Sequence, residues 1–263
     1  MARPLDNQIP RLPCQGPDPA EARGEILFLH GAWHGPWCWQ DWAGRLAEKG
    51  YHTCRLELPG HGDDPWDLPA VTSLADYGRV ALKAVAQMGR PILVGHSMGG
   101  WLVQKILETY DLPAVLVAPL PGSGLALPRA TRFLLQHLGA AAPVLVGKPF
   151  AVPDAAAARR LFYHQLDQSH LEDTFRRLVP EPARAFWDMG LGLVRARPAP
   201  GSQPRLLMAA GRDYFFPPAQ MEALARRLGA KYLLFSQHPH NLFVEDPGGE
   251  AWAALEDFLN RLD

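Results

Sequence analysis

The chain has 263 residues, enough to bury one sizeable core and too few for two large ones. Hydrophobic residues make up 48% and charged residues 20%, the balance of a folded globular protein rather than a disordered chain. Its 26 basic and 27 acidic residues leave a formal net charge of -1, and no apolar run approaches a membrane span, so neither a nucleic-acid partner nor stable membrane insertion is expected.

Residues 1–24 carry Pro4, Pro10, Pro13, Pro17 and Pro19 and lack the apolar core of a secretory signal; they read as an N-terminal arm. Cys14, Cys38 and Cys54 are odd in number and show neither metal-ligand nor redox spacing. The expectation is therefore free thiols, no metal and a cytoplasmic setting. Cys38, between Trp37 and Trp39, reads as a small buried hydrophobe rather than a nucleophile.

Residues 25–29 form the first strong strand pattern, ending at His30-Gly31. A helix over 39–49 is stopped by Gly50, and a strand over 51–58 closes at Pro59-Gly60-His61-Gly62. Ser73 with Asp76 three residues on makes a capping-box start for a helix reaching about Met88. A buried strand over 91–94, a helix over 101–110 and a strand over 114–118 follow. Strand and helix alternate, the pattern of an α/β protein with a mostly parallel sheet covered on both faces. Residues 119–200 break that alternation with helical pieces at 129–138, 154–166 and 170–178, separated by proline and glycine. A strand over 205–210, a helix over 217–228 with Met221, Leu224, Ala225 and Leu228 on one face, a strand over 231–236 and a helix over 248–262 resume it. The organisation read from this is an arm at 1–24, a core of 25–118 and 201–263, and a helical insertion at 119–200.

The chemistry centres on Gly95-His96-Ser97-Met98-Gly99-Gly100, a Gly-x-Ser-x-Gly between a buried strand and a helix. That is the form of a nucleophile elbow, in which a strained serine presents its hydroxyl above the strand ends. A serine hydroxyl is a poor nucleophile at neutral pH and needs a base, which in turn needs a carboxylate to fix its tautomer. Asp213, just past the 205–210 strand, reaches the same sheet edge as Ser97; an Asx turn is its alternative role. His238 and His240 are both candidate bases. The oxyanion requires two preorganised amides. Met98, directly after the serine, supplies one, and the loop after His30-Gly31 the other.

His30-Gly31-Ala32-Trp33, Leu58-Pro59-Gly60-His61-Gly62, the Ser97 elbow, Gly211-Arg212-Asp213 and His240-Asn241-Leu242-Phe243, in that order, resemble α/β-hydrolase fold enzymes with a helical cap, from Ile26 onward. The resemblance implies that His240 is the base, since it directly precedes the segment leading into the last helix, and that His238 is a loop residue. It implies Ala32 as the second oxyanion donor, with Trp33 as the alternative. The Trp-, His- and Cys-rich loop 31–39 looks like that of small-ester and methylester-type esterases. The activity implied is cleavage of a small-molecule carboxylic ester with an apolar acyl or alcohol part, through an acyl-enzyme and without a cofactor. Hydroxynitrile lyase, cofactor-free dioxygenase and ligand-receptor functions on the same fold are the alternatives. Trp33, Trp37, Trp101 and Phe215 are candidate pocket residues, and Phe162, Tyr163, Phe186 and Trp187 a candidate roof.

Overall fold

The computed structural model describes residues 10–62, 72–125, 136, 139 and 142–262. Seven strands form one sheet in the order β1-β3-β2-β4-β5-β6-β7. They are β1 (Cys14–Gln15), β2 (Glu25–Leu29), β3 (His52–Leu56), β4 (Ile92–His96), β5 (Ala114–Val117), β6 (Arg205–Ala210) and β7 (Lys231–Phe235). From β3 to β7 the pairs are parallel, and β1 runs antiparallel on the outer edge of β3. The period-2 geometry of strands divides the sheet's apolar residues between two cores. Leu27, Leu29, Leu93 and Leu116 face one, and Ile26, Phe28, Val94 and Val115 face the other. Because both faces are covered, β4, β5 and β6 are buried along their whole length, which is why their sequences run nearly without polar interruption.

The covering helices of the sheet are α1 (Gln40–Glu48), α2 (Leu74–Gln87) and α3 (Met98–Ile106) before the insertion. Within it lie α4 (Ala155–Leu161), α5 (Gln168–Arg176) and α6 (Ala183–Leu191), and after it α7 (Pro218–Leu228), α8 (Leu242–Glu245) and α9 (Glu250–Leu259). Ser73 makes the expected capping box, accepting from the Asp76 amide while the Asp76 carboxylate accepts from the Ser73 amide. Apart from Gln136, the helix read over 129–138 lies outside the described residues. Helix α6 adds to the helical pieces read in the insertion and lies just beyond Pro180 and Pro182. Pro182 is the residue from which α6 starts, its φ of -54° and ψ of 139° leading into the first turn, and Gly192 ends the helix at a φ of 62°. Asp188 of α6 docks the insertion on the core: its Oδ2 accepts from the Leu74 amide at 3.1 Å, at the N-terminus of α2.

Two boundaries at the elbow differ from expectation. β4 runs on through Gly95 and His96, and α3 starts at Met98, so Ser97 alone carries the change of direction. Gly99 permits it, because a Cβ there would lie 2.0 Å from the Leu29 carbonyl oxygen.

The expectation of three free cysteines is corrected. Cys14 and Cys54 face each other across β1 and β3 and are joined by a disulfide, leaving Cys38 as the free, buried thiol. The pairing depends on the arm adding a strand to the sheet edge, which a separation of 40 residues does not disclose. The argument from free thiols to a reducing cytoplasm falls with it. Among the described residues no helix is long and apolar enough to cross a membrane. Titration of the denatured, unreduced protein is expected to count one thiol per chain, Cys38. Cys54→Ser should lower unfolding free energy by about 2–4 kcal/mol in denaturant melts.

Candidate active site

Ser97 sits at φ 51° and ψ -116°, and its hydroxyl makes no helix-capping hydrogen bond. A non-glycine residue in such a conformation costs on the order of 1–3 kcal/mol and persists only where neighbours impose it. Here the Ser97 amide donates to the Val117 carbonyl at 3.1 Å, and the Ser97 carbonyl accepts from the Leu120 and Trp101 amides. Gly31 lies against it: a Cβ on Gly31 would stand 3.1 Å from the Ser97 Cβ. Met98, first residue of α3, has an amide without an intrahelical acceptor.

Asp213 follows β6 and His240 follows β7. His240 Nδ1 lies 2.8 Å from Asp213 Oδ2, with both side chains 1% exposed. Asp213 Oδ1 accepts from the Phe215 and Phe216 amides at 2.7 and 3.1 Å. Asp213 thus makes an Asx turn with one oxygen and meets His240 with the other. A carboxylate only accepts, so Nδ1 of His240 carries the proton in that bond. His238 lies instead 3.5 Å from Asp246. His96 Nε2 donates to the His240 carbonyl at 3.2 Å.

The loop after β2 is oriented one peptide at a time. The Gly31 carbonyl accepts from His30 Nδ1 at 2.9 Å and from the His34 amide at 3.3 Å. The Ala32 carbonyl accepts from His34 Nδ1 at 2.8 Å. Trp33, at φ 62°, donates its amide to Glu181 Oε1 at 3.0 Å. Of the two candidate oxyanion amides, that of Trp33 is thus consumed, while that of Ala32 has no acceptor among the described residues. His34 Nε2 receives the Tyr163 hydroxyl at 2.6 Å and Asn241 Nδ2 at 2.8 Å, which ties this loop to the residue after His240.

Those contacts require neutral histidines. Burial pushes His34 down to about 4, with His240 and His61 adding to the effect against the Ala32 carbonyl. Burial likewise holds His30 and His96 well below the ordinary imidazole range, helped by His61 and His240 respectively. His61 is the exception: burial works against its cation, but Glu181 at 2.6 Å outweighs it and raises the pKa. Burial also raises the thiol pKa of Cys38, as suits an inert side chain.

Ser97 opens into a cavity shared with Ala32, Trp33, Phe215 and, from the insertion, Phe186 and Trp187. Two expected lining residues do not belong to it. Trp101 is fully buried on α3 beside α2, and Trp37 lies under the Arg177 guanidinium, 4.4 Å from its ring centre, in a separate cleft. Phe162 and Tyr163 stand behind the wall, Phe162 against Trp33 and Phe215 and Tyr163 on His34. Among the described residues, Leu120, Leu125, Met189, Gly190, Leu191 and Phe216 complete the lining. Glu181 went unrecognised, since a lone acid between two prolines carries no signal of burial. The one group of three ligand-type side chains found among the described residues, Cys14, His52 and Cys54, includes the disulfide and belongs to β1 and β3, apart from this cavity.

A parallel sheet with a strained serine at the end of β4 and an acid and histidine beyond β6 and β7 defines a hydrolase-type fold and site. The alpha/beta hydrolase family profile matches residues 26–254, and the chain belongs to that family. It is 25% identical over 244 residues to Methylesterase 18 of Arabidopsis thaliana, covering 84% of this chain and 92% of the relative. Pheophorbidase of Raphanus sativus is 26% identical, covering 84% and 89%. Among solved structures, methylesterase MES16 from Arabidopsis superposes with a TM-score of 0.66 at 23% identity, covering 90% of this chain and 98% of that one.

The buried histidines give a stability profile with a sign. Because His34 is held near 4 when folded and takes its proton near 6.5 when unfolded, its contribution is intact above pH 6.5 and lost as pH falls toward 4. The shift corresponds to on the order of 3 kcal/mol. Denaturant melts between pH 7 and 4 should show that loss, with a flatter slope in His34→Gln.

Proposed function

We propose that the chain hydrolyses small carboxylic esters with an apolar acyl or alcohol part. The observation that carries this reading is the Asp213–His240 hydrogen bond of 2.8 Å beyond β6 and β7, at the sheet edge where Ser97 opens into an apolar cavity. His240 Nε2 takes the Ser97 proton as the hydroxyl attacks the ester carbonyl, and Asp213 stabilises the resulting imidazolium. The amides of Ala32 and Met98 receive the oxyanion. The imidazolium then protonates the leaving alcohol, and water activated by the same base cleaves the acyl-enzyme. Residues 119–200 act as a cap, supplying Phe186 and Trp187 to the wall over the serine. The likeness to a methylesterase supports an ester substrate.

A panel of methyl esters and p-nitrophenyl esters of increasing acyl length tests the activity and measures the depth of the cavity. Ser97→Ala and His240→Ala should each lower turnover by up to about a millionfold. Asp213→Asn should cost on the order of ten-thousandfold, because the histidine loses its tautomer. His238→Ala should stay near the wild type. Rapid labelling of Ser97 by a fluorophosphonate is expected; an unlabelled serine in a folded protein would point to lyase or receptor function instead.

A further inference from the structure

The inserted segment grips Trp33 at each of its polar groups. Glu181 Oε1 accepts the backbone N–H at 3.0 Å, the Val179 amide donates to the Trp33 carbonyl at 2.9 Å, and the indole N–H donates to the Phe150 carbonyl at 3.1 Å. Phe150 and Glu181 are themselves paired through both backbone amides, at 2.7 and 2.9 Å. Glu181 is fully buried. An isolated buried carboxylate is costly, so its partners matter. His61 Nε2 lies 2.6 Å from Oε1, and the Tyr77 hydroxyl lies 3.5 Å from Oε2. His61 Nδ1 also donates to the Pro59 carbonyl at 2.9 Å, which fixes the ring with Nε2 toward Glu181.

The site mechanism described so far assigns this carboxylate no task. What it touches is the amide one residue beyond Ala32, in a residue whose φ of 62° needs external restraint. The Ala32–Trp33 peptide is clamped at both ends, its carbonyl by His34 and its N–H by Glu181. The Ala32 N–H belongs to the preceding peptide, whose Gly31 carbonyl is held by His30 and the His34 amide, so displacement of the clamped peptide would act on it by moving the Ala32 Cα that the two share.

We propose that Glu181 is a positioning residue for the oxyanion hole: by holding the Trp33 amide it fixes the Ala32 amide toward the reacting carbonyl, so the hole is complete only while the 179–181 segment is docked. The proposal rests on the serine-hydrolase reading. The acceptor oxygen, rather than the negative charge, carries the effect.

The test compares Glu181→Gln, Glu181→Asp and Glu181→Ala with the wild type. It measures kcat and KM on a p-nitrophenyl ester, inhibition by an alkyl trifluoromethyl ketone that forms a tetrahedral adduct, and circular dichroism. Glutamine keeps an oxygen at the Trp33 amide, whereas aspartate keeps the charge but withdraws the acceptor by one methylene. Glu181→Gln should retain kcat within about fivefold, while Glu181→Asp and Glu181→Ala lose about tenfold to a hundredfold, a fraction of what deleting a donor costs. KM should change little, and trifluoromethyl ketone affinity should fall in step with kcat/KM. Should the alanine variant fail to fold, the ranking of glutamine above aspartate decides the matter. Wild-type kcat in a folded aspartate variant, an aspartate variant more active than the glutamine one, or a loss confined to KM would overturn the proposal while the hydrolase reading stands. A wild type inert to every ester and to fluorophosphonate would overturn the hydrolase reading and the proposal together.

Discussion

The backbone of Ser97 is the constraint around which the other parts are disposed. Its turn at φ 51° directs the start of α3 across the end of β4 without an intervening loop. It is held from β5 through the Val117 carbonyl and the Leu120 amide, and it has room only because Gly31 and Gly99 lack side chains. Parallel pairing from β3 to β7 then brings the remaining groups to the same edge, since every such strand ends there: Ala32 after β2, Asp213 after β6 and His240 after β7. Local strain at one residue and the polarity of the sheet together account for the site.

Beneath that edge lies a layer of buried polar side chains whose work is orientation. His30 and His34 aim successive carbonyls, His96 holds the backbone of His240, and Asn241 joins Tyr163 to His34. His30 and His34 each use one ring nitrogen as donor and the other as acceptor, while His96 uses its donor alone, and burial favours the neutral ring in all three. His61 departs from this pattern because Glu181 faces it. The layer gives residues 30–34, a loop without regular secondary structure, hydrogen-bond partners for successive carbonyls.

The parallel core, the elbow and the capping box were legible in the sequence because each leaves a local mark: alternating or continuous apolar runs, a glycine pair around a serine, a serine three residues before an aspartate. Asp213 and His240 were legible as candidates, though only the Asp213 hydrogen bond separates His240 from His238, which turns to Asp246. What escaped depends on contacts between distant segments. The Cys14–Cys54 bond needs an edge strand of two residues, and Glu181 becomes significant only when Trp33 lies against it. Trp37 and Trp101 misled because aromatic residues near an active loop serve packing as readily as a ligand, and here one lies under an arginine and the other in the core.

The apolar lining of the cavity bears on the end of the catalytic cycle as much as on its beginning. An ester enters uncharged, but the acid left by its hydrolysis ionises at neutral pH. Surrounded by Phe186, Phe215, Phe216 and Leu125, such an anion finds little to replace its hydration. In the proposed reaction the two products therefore separate from the enzyme on different terms: the alcohol by simple exchange, the carboxylate driven out toward water, so that accumulation of acid would do little to slow turnover.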